Sequence, residues 1–108
     1  MTGPNTQRIR ELNDQSRQAL TGCRVLITPG VRALDATSAI LALVQQYSAF
    51  TPDSDPFGEH DLGSFRYTGE TIFWKFDYYD LDLTMHSPDP ADPDVTARVL
   101  TVLLGNEY

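Results

Sequence analysis

The pattern of apolar and polar positions predicts two helices in the first half of the chain. In residues 7–20 the apolar positions form a thin stripe at helical spacing, and Thr6 stands where a capping residue is expected. In residues 36–47, which follow the capping residue Asp35, the apolar positions form a broad helical face. We therefore expect the second helix to be the main packing element and the first to lie on the surface of the core. Residues 1–5 carry no such pattern and are expected to be disordered.

Short β-branched and alternating segments predict the strands. Residues 23–28 are a compact apolar run that ends at a Pro-Gly turn, and we expect them to form a buried strand. Residues 62–68 and 71–79 alternate on either side of Gly69-Glu70, which predicts a β-hairpin. Pairing across that turn places the following residues on the core face: Gly63, Phe65, Tyr67, Ile72, Trp74 and Phe76.

The remaining segments predict loops, a short strand and a last helix. Residues 48–61 and 87–93 combine prolines with carboxylates and have no periodicity, so we expect loops there. Residues 81–85 are expected to add a third antiparallel strand. Asp92 is expected to cap a final helix, which begins at Pro93 and continues to about residue 104.

This order of elements predicts a small two-layer α+β domain. We expect an antiparallel sheet of three or four strands, with the hairpin at its centre, packed against about three helices. The 108 residues and 41% hydrophobic content fit a single domain that spans the whole chain. The chain has one cysteine, Cys23, and no apolar run of the length that a signal peptide or membrane span requires. These features favour a reducing, cytoplasmic location.

Negative charge is concentrated between residues 53 and 94. This segment holds eleven of the fifteen carboxylates and only two basic residues, Arg66 and Lys75, so its net charge is −9 in a chain of net charge −7. Direct binding to nucleic acid is disfavoured, because it requires clustered basic side chains. The charge predicts a basic protein as the partner. No membrane contact is expected, since no apolar run is long enough for a membrane span.

Five short motifs carry a family resemblance. They are ITPGV at 27–31, DPFGEHD at 55–61, FWKFDYYD at 73–80, SPDPADP at 87–93, and RVLT at 98–101 with the final Glu107-Tyr108. Together they resemble a family of small bacterial proteins known as domain of unknown function 3768. The resemblance extends over about residues 12–108. It implies a soluble, bacterial, single-domain protein and implies no particular catalytic activity.

The sharpest candidate chemistry is the tripeptide Glu59-His60-Asp61. Carboxylates and an imidazole are ligands that Zn, Mn or Fe sites use, and Asp53 and Asp55 lie close by in the sequence. Consecutive residues point in different directions, so a metal would need a distant ligand, for which His86 and Asp80 are candidates. The alternative is that these residues form the turns and hydrogen bonds of a loop. The sequence leaves the metal open and predicts no other cofactor.

Other catalytic patterns are weak. Cys23 lies on a predicted buried strand, where a thiol usually behaves as a small apolar side chain. No nucleophile elbow or phosphate-binding glycine loop is present in the sequence. Asp77, Asp80 and Asp82 offer carboxylate pairs for acid–base chemistry, but a solvated polar face also explains them. The sequence therefore favours a protein that is not an enzyme.

The leading hypothesis is a binding or regulatory module that presents carboxylate-rich loops to a basic protein. Its candidate contact residues are Asp53, Asp55, Glu59, His60, Asp61, Asp77, Asp80 and Asp82. One concrete version is an inhibitor that imitates nucleic acid, as anti-restriction and anti-CRISPR proteins do. A metal-dependent enzyme centred on residues 59–61 is the alternative. An exposed hairpin edge or the predicted C-terminal helix also allows a homodimer.

Overall fold

The computed structural model describes residues 4–108 and confirms the α+β class. The helices are Pro4–Ala19 (α1), Pro29–Arg32 (α2) and Thr37–Gln46 (α3), and the strands are Arg24–Ile27 (β1), Leu62–Tyr67 (β2), Glu70–Tyr79 (β3) and Ala97–Leu104 (β4), followed by a 3-10 helix at Gly105–Glu107. The strands form one sheet in the order β1-β4-β3-β2. The sheet is mixed because β1 runs parallel to β4, whereas the other neighbours are antiparallel.

The hairpin has the predicted strands and faces. Gly63 pairs with Trp74 and Phe65 with Ile72, so these four residues share the core face as expected. The turn lies one residue earlier than predicted, at Thr68-Gly69, where both residues have positive φ angles of 47° and 87°. Positive φ at both central residues is the geometry of a type I′ turn, which matches the twist of the strands better than types I and II do.

The core lies between the helices and one face of the sheet. Its buried members come from α2, α3, β3 and β4 and are Val31, Ile40, Val44, Ile72, Trp74, Phe76, Leu100, Val102 and Leu104. Trp74 is fully buried, and its indole lies directly over Gly63. A Cβ at this glycine would lie 2.5 Å from the Trp74 Nε1 atom, so the close packing requires glycine.

The predicted C-terminal helix is wrong, because residues 97–104 form strand β4. This strand lies between β1 and β3 and is buried on both faces, so its sequence, ARVLTVLL, is an apolar run interrupted only by Arg98 and Thr101. Such a run has neither the alternation of an exposed strand nor a clear helical period. Asp92 and Pro93 do not begin a helix; the Asp92 carboxylate instead accepts the backbone N–H of Asp94 at 2.9 Å within a turn.

The predicted strand at residues 81–85 is also wrong. These residues form turns and bends, and only an isolated bridge between Tyr79 and His86 extends the ladder. The third and fourth strands of the sheet are β4 and β1 instead. The hairpin therefore lies at one side of the sheet and not at its centre.

Helix α1 starts earlier than predicted and buries polar side chains. It begins at Pro4, so residues 4 and 5 are helical, and Thr6 lies within the helix; residues 1–3 lie outside the described residues. Its buried residues are Ile9, Asn13, Ser16 and Arg17. The face that contacts the core is therefore largely polar, although a thin apolar stripe was expected to lie there.

The ITPGV motif, residues 27–31, packs against the end of the chain. The Glu107 carboxylate accepts the Thr28 hydroxyl at 2.7 Å, the Gly30 N–H at 3.0 Å and the Leu104 N–H at 2.8 Å. These hydrogen bonds, chiefly the one from Thr28, hold the pKa of Glu107 below its ordinary value. A Cβ at Gly30 would lie 2.7 Å from the Glu107 carboxyl carbon, so this glycine permits the close approach.

Candidate functional site

The two acidic loops meet at one end of the sheet. Residues 47–61 lead into the start of β2, and residues 80–96 connect the end of β3 to the start of β4. The antiparallel register places the starts of β2 and β4 beside the end of β3. We call residues 53–61 and 77–94 the acidic end. It holds ten of the eleven carboxylates of the acidic segment, whereas Glu70 lies by the hairpin turn at the opposite end.

The tripeptide 59–61 directs its three side chains to different places. Glu59 Oε1 accepts the Tyr78 hydroxyl at 3.1 Å. His60, with a backbone φ of 55°, turns toward α1, and Asp61 lines a cleft on the sheet face that is not covered by the described helices. Among residues 4–108, no group of three His, Cys, Asp or Glu side chains is placed to hold a metal ion.

His60 joins its loop to α1. The Nδ1 atom lies 2.9 Å from Asp14 Oδ1, and the Nε2 atom lies 3.6 Å from Asp55 Oδ2. The ring stacks on Phe50 with 3.7 Å between the ring centroids and 2° between the planes. Asp55 also accepts the backbone N–H of His60 at 3.3 Å. These contacts with the His60 ring and backbone order the loop. Asp55 and His60, both predicted as site residues, therefore have a structural role.

A buried polar network continues from this loop beneath α1. Asn13 is fully buried; its amide nitrogen donates to Tyr78 Oη at 2.8 Å and to the Glu59 carbonyl at 3.0 Å, and its oxygen accepts Arg98 Nε at 2.7 Å. Burial raises the pKa of Tyr78, so its hydroxyl keeps the proton that it donates to Glu59. Every member of the network thus helps to fix the acidic end to the helix layer.

Arg17 caps the C-terminal end of α3. Its Nη1 atom donates to the carbonyl oxygens of Val44 at 2.8 Å and Tyr47 at 3.0 Å, where a cation is favoured by the helix dipole. The guanidinium also lies over the rings of Phe50 and Trp74, 5.5 and 5.0 Å from their centroids. Its side chain is 1% exposed, although arginines on a thinly apolar helix are expected to face solvent.

The loop at residues 80–86 is closed by Asp80. The carboxylate accepts the backbone N–H groups of Thr84 at 3.0 Å and Met85 at 3.4 Å, and the Thr84 hydroxyl at 3.3 Å. The hydrogen bond from the Thr84 N–H is the main cause of a lowered pKa at Asp80. Leu83 adopts a left-handed φ of 61° within the loop. Asp80, predicted as a contact residue or distant metal ligand, therefore organises the loop around it.

The same 80–86 loop exposes large apolar side chains. Leu81 is 64% exposed, Leu83 is 38% exposed and Met85 is 71% exposed. Asp82 lies between the leucines and is itself exposed. Exposed apolar side chains that are grouped on an ordered loop commonly mark a protein interaction site, whereas scattered ones need no explanation.

A cleft of about 350 Å³ opens beside Asp61. Its lining includes Phe57, Asp61, Leu62, Lys75, Asp77 and Tyr108. Lys75 Nζ lies 3.0 Å from Asp77 Oδ2, and this hydrogen bond raises the pKa of Lys75. Burial, followed by the negative charge of Glu59, raises the pKa of Asp61. Lys75 thus pairs with Asp77, while Asp61 lies in the same cleft without an ion pair among the contacts of residues 4–108.

A family match identifies the chain's relatives. Residues 27–107 match the family model described as "Protein of unknown function (DUF3768)". The chain belongs to this DUF3768 family. The match extends from the end of β1 to the 3-10 helix and includes the acidic end, while α1 lies outside it.

Searches beyond the DUF3768 family give no further relatives. No curated protein and no solved structure matches the chain. Within residues 4–108, the helices are all too short or too polar to cross a membrane.

In this DUF3768 protein the predicted contact residues serve two purposes. Those that hold the loops in place are Asp55, Glu59, His60 and Asp80. Those that face a cleft or solvent are Asp53, Asp61, Asp77 and Asp82. The residues that the sequence did not single out are Asn13, Asp14, Arg17, Tyr78 and Arg98. For Asn13, Asp14 and Arg17 the only sequence signal is the polar character of α1 at positions that should contact the core. Tyr78 and Arg98 lie on β3 and β4 and carry no such signal.

Proposed function

We propose that this DUF3768 protein is a non-enzymatic binding module whose acidic end docks onto a basic protein. The observation that carries the proposal is the 80–86 loop. It combines three exposed apolar side chains with the exposed carboxylate of Asp82, and it lies among ten carboxylates. This is the composition of a contact surface with an apolar centre and a charged surround.

The two kinds of side chain make different contributions to binding. Leu81 and Met85 are the most exposed of the three apolar residues of the loop, and burying such a side chain contributes about 1.5–3 kcal/mol. The surrounding carboxylates attract a basic partner over a longer range and accelerate its association. We therefore assign affinity mainly to the apolar residues, and partner choice mainly to the charge.

The internal hydrogen bonds of the loop support the same proposal. Asp80 closes the loop through its carboxylate, the Asp80 N–H donates to the Met85 carbonyl at 2.8 Å, and the Ser87 N–H donates to the Tyr78 carbonyl at 3.0 Å. A loop that is ordered before binding loses less conformational entropy on association. The exposed side chains are thus held ready for contact.

The exposed apolar residues of the 80–86 loop also indicate what kind of surface the partner contacts. Imitation of a nucleic-acid backbone requires regularly placed charge, whereas Leu81, Leu83 and Met85 offer hydrophobic contact. They favour a general protein interface over nucleic-acid mimicry. The proposal places the protein in the reducing cytoplasm of a bacterium, in keeping with its single free thiol at Cys23, whose pKa burial raises.

The test compares capture by wild type with capture by matched variants. Tagged protein is incubated with lysate of the source organism, and the retained protein is identified, purified and titrated. Leu81→Ser/Met85→Ser removes the apolar contacts, while Leu26→Ser removes a leucine that is 52% exposed on β1, away from the acidic end. We expect a basic partner whose affinity falls at least about tenfold with the double variant and is unchanged by Leu26→Ser.

Several outcomes would contradict the proposal. One is a partner without basic character, or one that binds the double variant as tightly as wild type. Another is binding that is indifferent to salt between about 50 and 500 mM, because exposed charges are screened over this range. Elemental analysis that finds a stoichiometric transition metal, lost in His60→Ala, would favour the metal-dependent enzyme instead.

A further inference from the structure

The outer edge of β2 carries unpaired backbone groups. The Phe76 N–H donates to the Asp61 carbonyl at 2.8 Å, so residues 61, 63, 65 and 67 direct their backbone groups toward β3. Residues 62, 64 and 66 consequently direct theirs outward. Within residues 4–108, the backbone N–H and C=O groups of residues 62, 64 and 66 make no hydrogen bond.

This edge is also accessible. A cleft of about 290 Å³ runs along Leu62, Gly63 and Ser64, and Asp53 and Ser54 line it as well. Natural proteins usually block an edge strand with proline, a bulge or a covering segment. The sequence of β2, LGSFRY, has no proline, and its pairing with β3 is continuous from its first residue to its last.

We propose that β2 pairs with β2 of a second copy, so that two four-stranded sheets join into one sheet of eight strands. An antiparallel pairing centred on Ser64 sets each Ser64 against its counterpart and matches all of the outward N–H and C=O groups. Residue 62 then faces residue 66 of the second copy, and residue 63 faces residue 65. Such a symmetric contact satisfies both edges at once.

The side chains of β2 are complementary to themselves in this register. Arg66 of one copy comes beside Leu62 of the other, at the cleft that Asp53 lines, so opposite charges approach each other. Asp61 faces Tyr67, so no two like charges stand directly opposite.

The placement of the acidic ends favours a second copy over a strand from a basic partner. In the antiparallel arrangement the acidic end of each copy lies next to the hairpin turn of the other. The two acidic ends are therefore kept apart from each other, and only their Asp53 and Asp61 take part in the contact. A strand from a basic partner would instead place its positive charges beside Arg66, and it would bring no carboxylate to pair with that arginine.

The first test is the association state of wild type and Ser64→Pro. Light scattering after size-exclusion chromatography, at about 1 to 500 µM, measures dimer formation. Ser64→Pro removes an outward N–H but leaves the β2–β3 ladder intact, since that N–H does not bond to β3. We expect a wild-type dimer, a monomeric Ser64→Pro variant with an unchanged circular dichroism spectrum, and a dimeric Ser64→Ala control. A wild type that stays monomeric, or a dimeric Ser64→Pro variant, would overturn the proposal.

A charge exchange tests the register itself, and it decides the matter if Ser64→Pro does not fold. Asp53→Arg or Arg66→Asp alone places like charges together, and each should raise the dimer dissociation constant about tenfold. The double variant restores opposite charges and should recover most of the affinity. Equal weakening in the single and double variants would show that these residues do not face each other.

Discussion

At the scale of single residues, Arg17 shows how the fold uses a buried charge. Its guanidinium satisfies carbonyl groups at the end of α3 and is held between aromatic rings. These partners exist only after α1 has packed on α3, so no local sequence pattern indicates them. The same holds for Asn13, whose hydrogen-bond partners lie 46 to 85 residues away in the chain.

Replacement of Arg17 should be strongly destabilising. Arg17→Met keeps much of the apolar stem but leaves the α3 carbonyls unsatisfied, which should lower the free energy of unfolding by about 3 kcal/mol. Arg17→Lys should recover only part of this loss, because an ammonium group cannot reproduce the planar fork of donors. Urea unfolding monitored by Trp74 fluorescence gives the comparison. An Arg17→Met variant within about 0.5 kcal/mol of wild type would contradict the capping role.

The charged Asp61 carboxylate should lower the free energy of unfolding at neutral pH. Burial raises its pKa in the folded state above the ordinary 3.8, so the folded protein binds this proton more tightly than the unfolded chain does. This loss of stability is present above the pKa that Asp61 has in the folded state. It disappears below 3.8, where the carboxyl group is protonated in both the folded and the unfolded state. Asp61→Asn should therefore be more stable than wild type at neutral pH, with a difference that shrinks as the pH falls.

Chemical unfolding of wild type and Asp61→Asn at several pH values measures this difference. Asp94→Asn is the matched control, since Asp94 is an exposed carboxylate of the same acidic end. An Asp61→Asn advantage that is constant with pH, or absent at neutral pH, would show that the charge of Asp61 is not the cause.

At the scale of elements, the sequence predicts what is periodic and misses what is buried on both sides. The β2–β3 hairpin was predictable because one face is core and the other open, so its residues alternate. Strand β4 was not, because it lies between β1 and β3 and has buried residues on both faces. The alternation placed Gly63 and Trp74 on the same face, but a turn at Gly69-Glu70 would have paired Gly63 with Phe76, and the earlier turn pairs it with Trp74.

The hairpin turn offers an element-scale prediction. Thr68 holds a φ of 47°, which is costly for a β-branched residue, and Gly69 follows at 87°. Thr68→Asn produces the Asn-Gly pair that type I′ turns prefer, and it should raise the free energy of unfolding by about 0.5–1 kcal/mol. Thermal and urea unfolding measure the change. Gly69→Ala is the opposing control and should destabilise, while a Thr68→Asn variant less stable than wild type would contradict the turn geometry.

At the scale of the whole molecule, topology converts an acidic stretch of sequence into an acidic end. The concentration of carboxylates was evident from the sequence, but their meeting was not. It depends on residues 97–104 returning as a strand from the same end at which β3 finishes. A helix in that position would have left the relative placement of the two loops undetermined.

The proposed dimer uses the edge of the acidic end that carries Asp53 and Asp61, whereas the proposed partner contact is centred on the 80–86 loop. The dimer joins the outer edges of β2, and the partner contacts the acidic end. A dimer would therefore present two acidic ends and could bind two sites on a partner assembly, which raises the apparent affinity without any new contact. Ser64→Pro should reduce this avidity while leaving the affinity of a single acidic end unchanged.

The dissociation constant of the purified partner, measured against salt concentration, tests whether the acidic end is the binding surface. Wild type should bind with an affinity that declines steadily as salt is raised. Leu81→Ser/Met85→Ser should bind at least about tenfold more weakly at every salt concentration with the same salt dependence, because it removes apolar contact and no charge. A double variant that binds as tightly as wild type would contradict the assignment of the 80–86 loop as the centre of the binding surface.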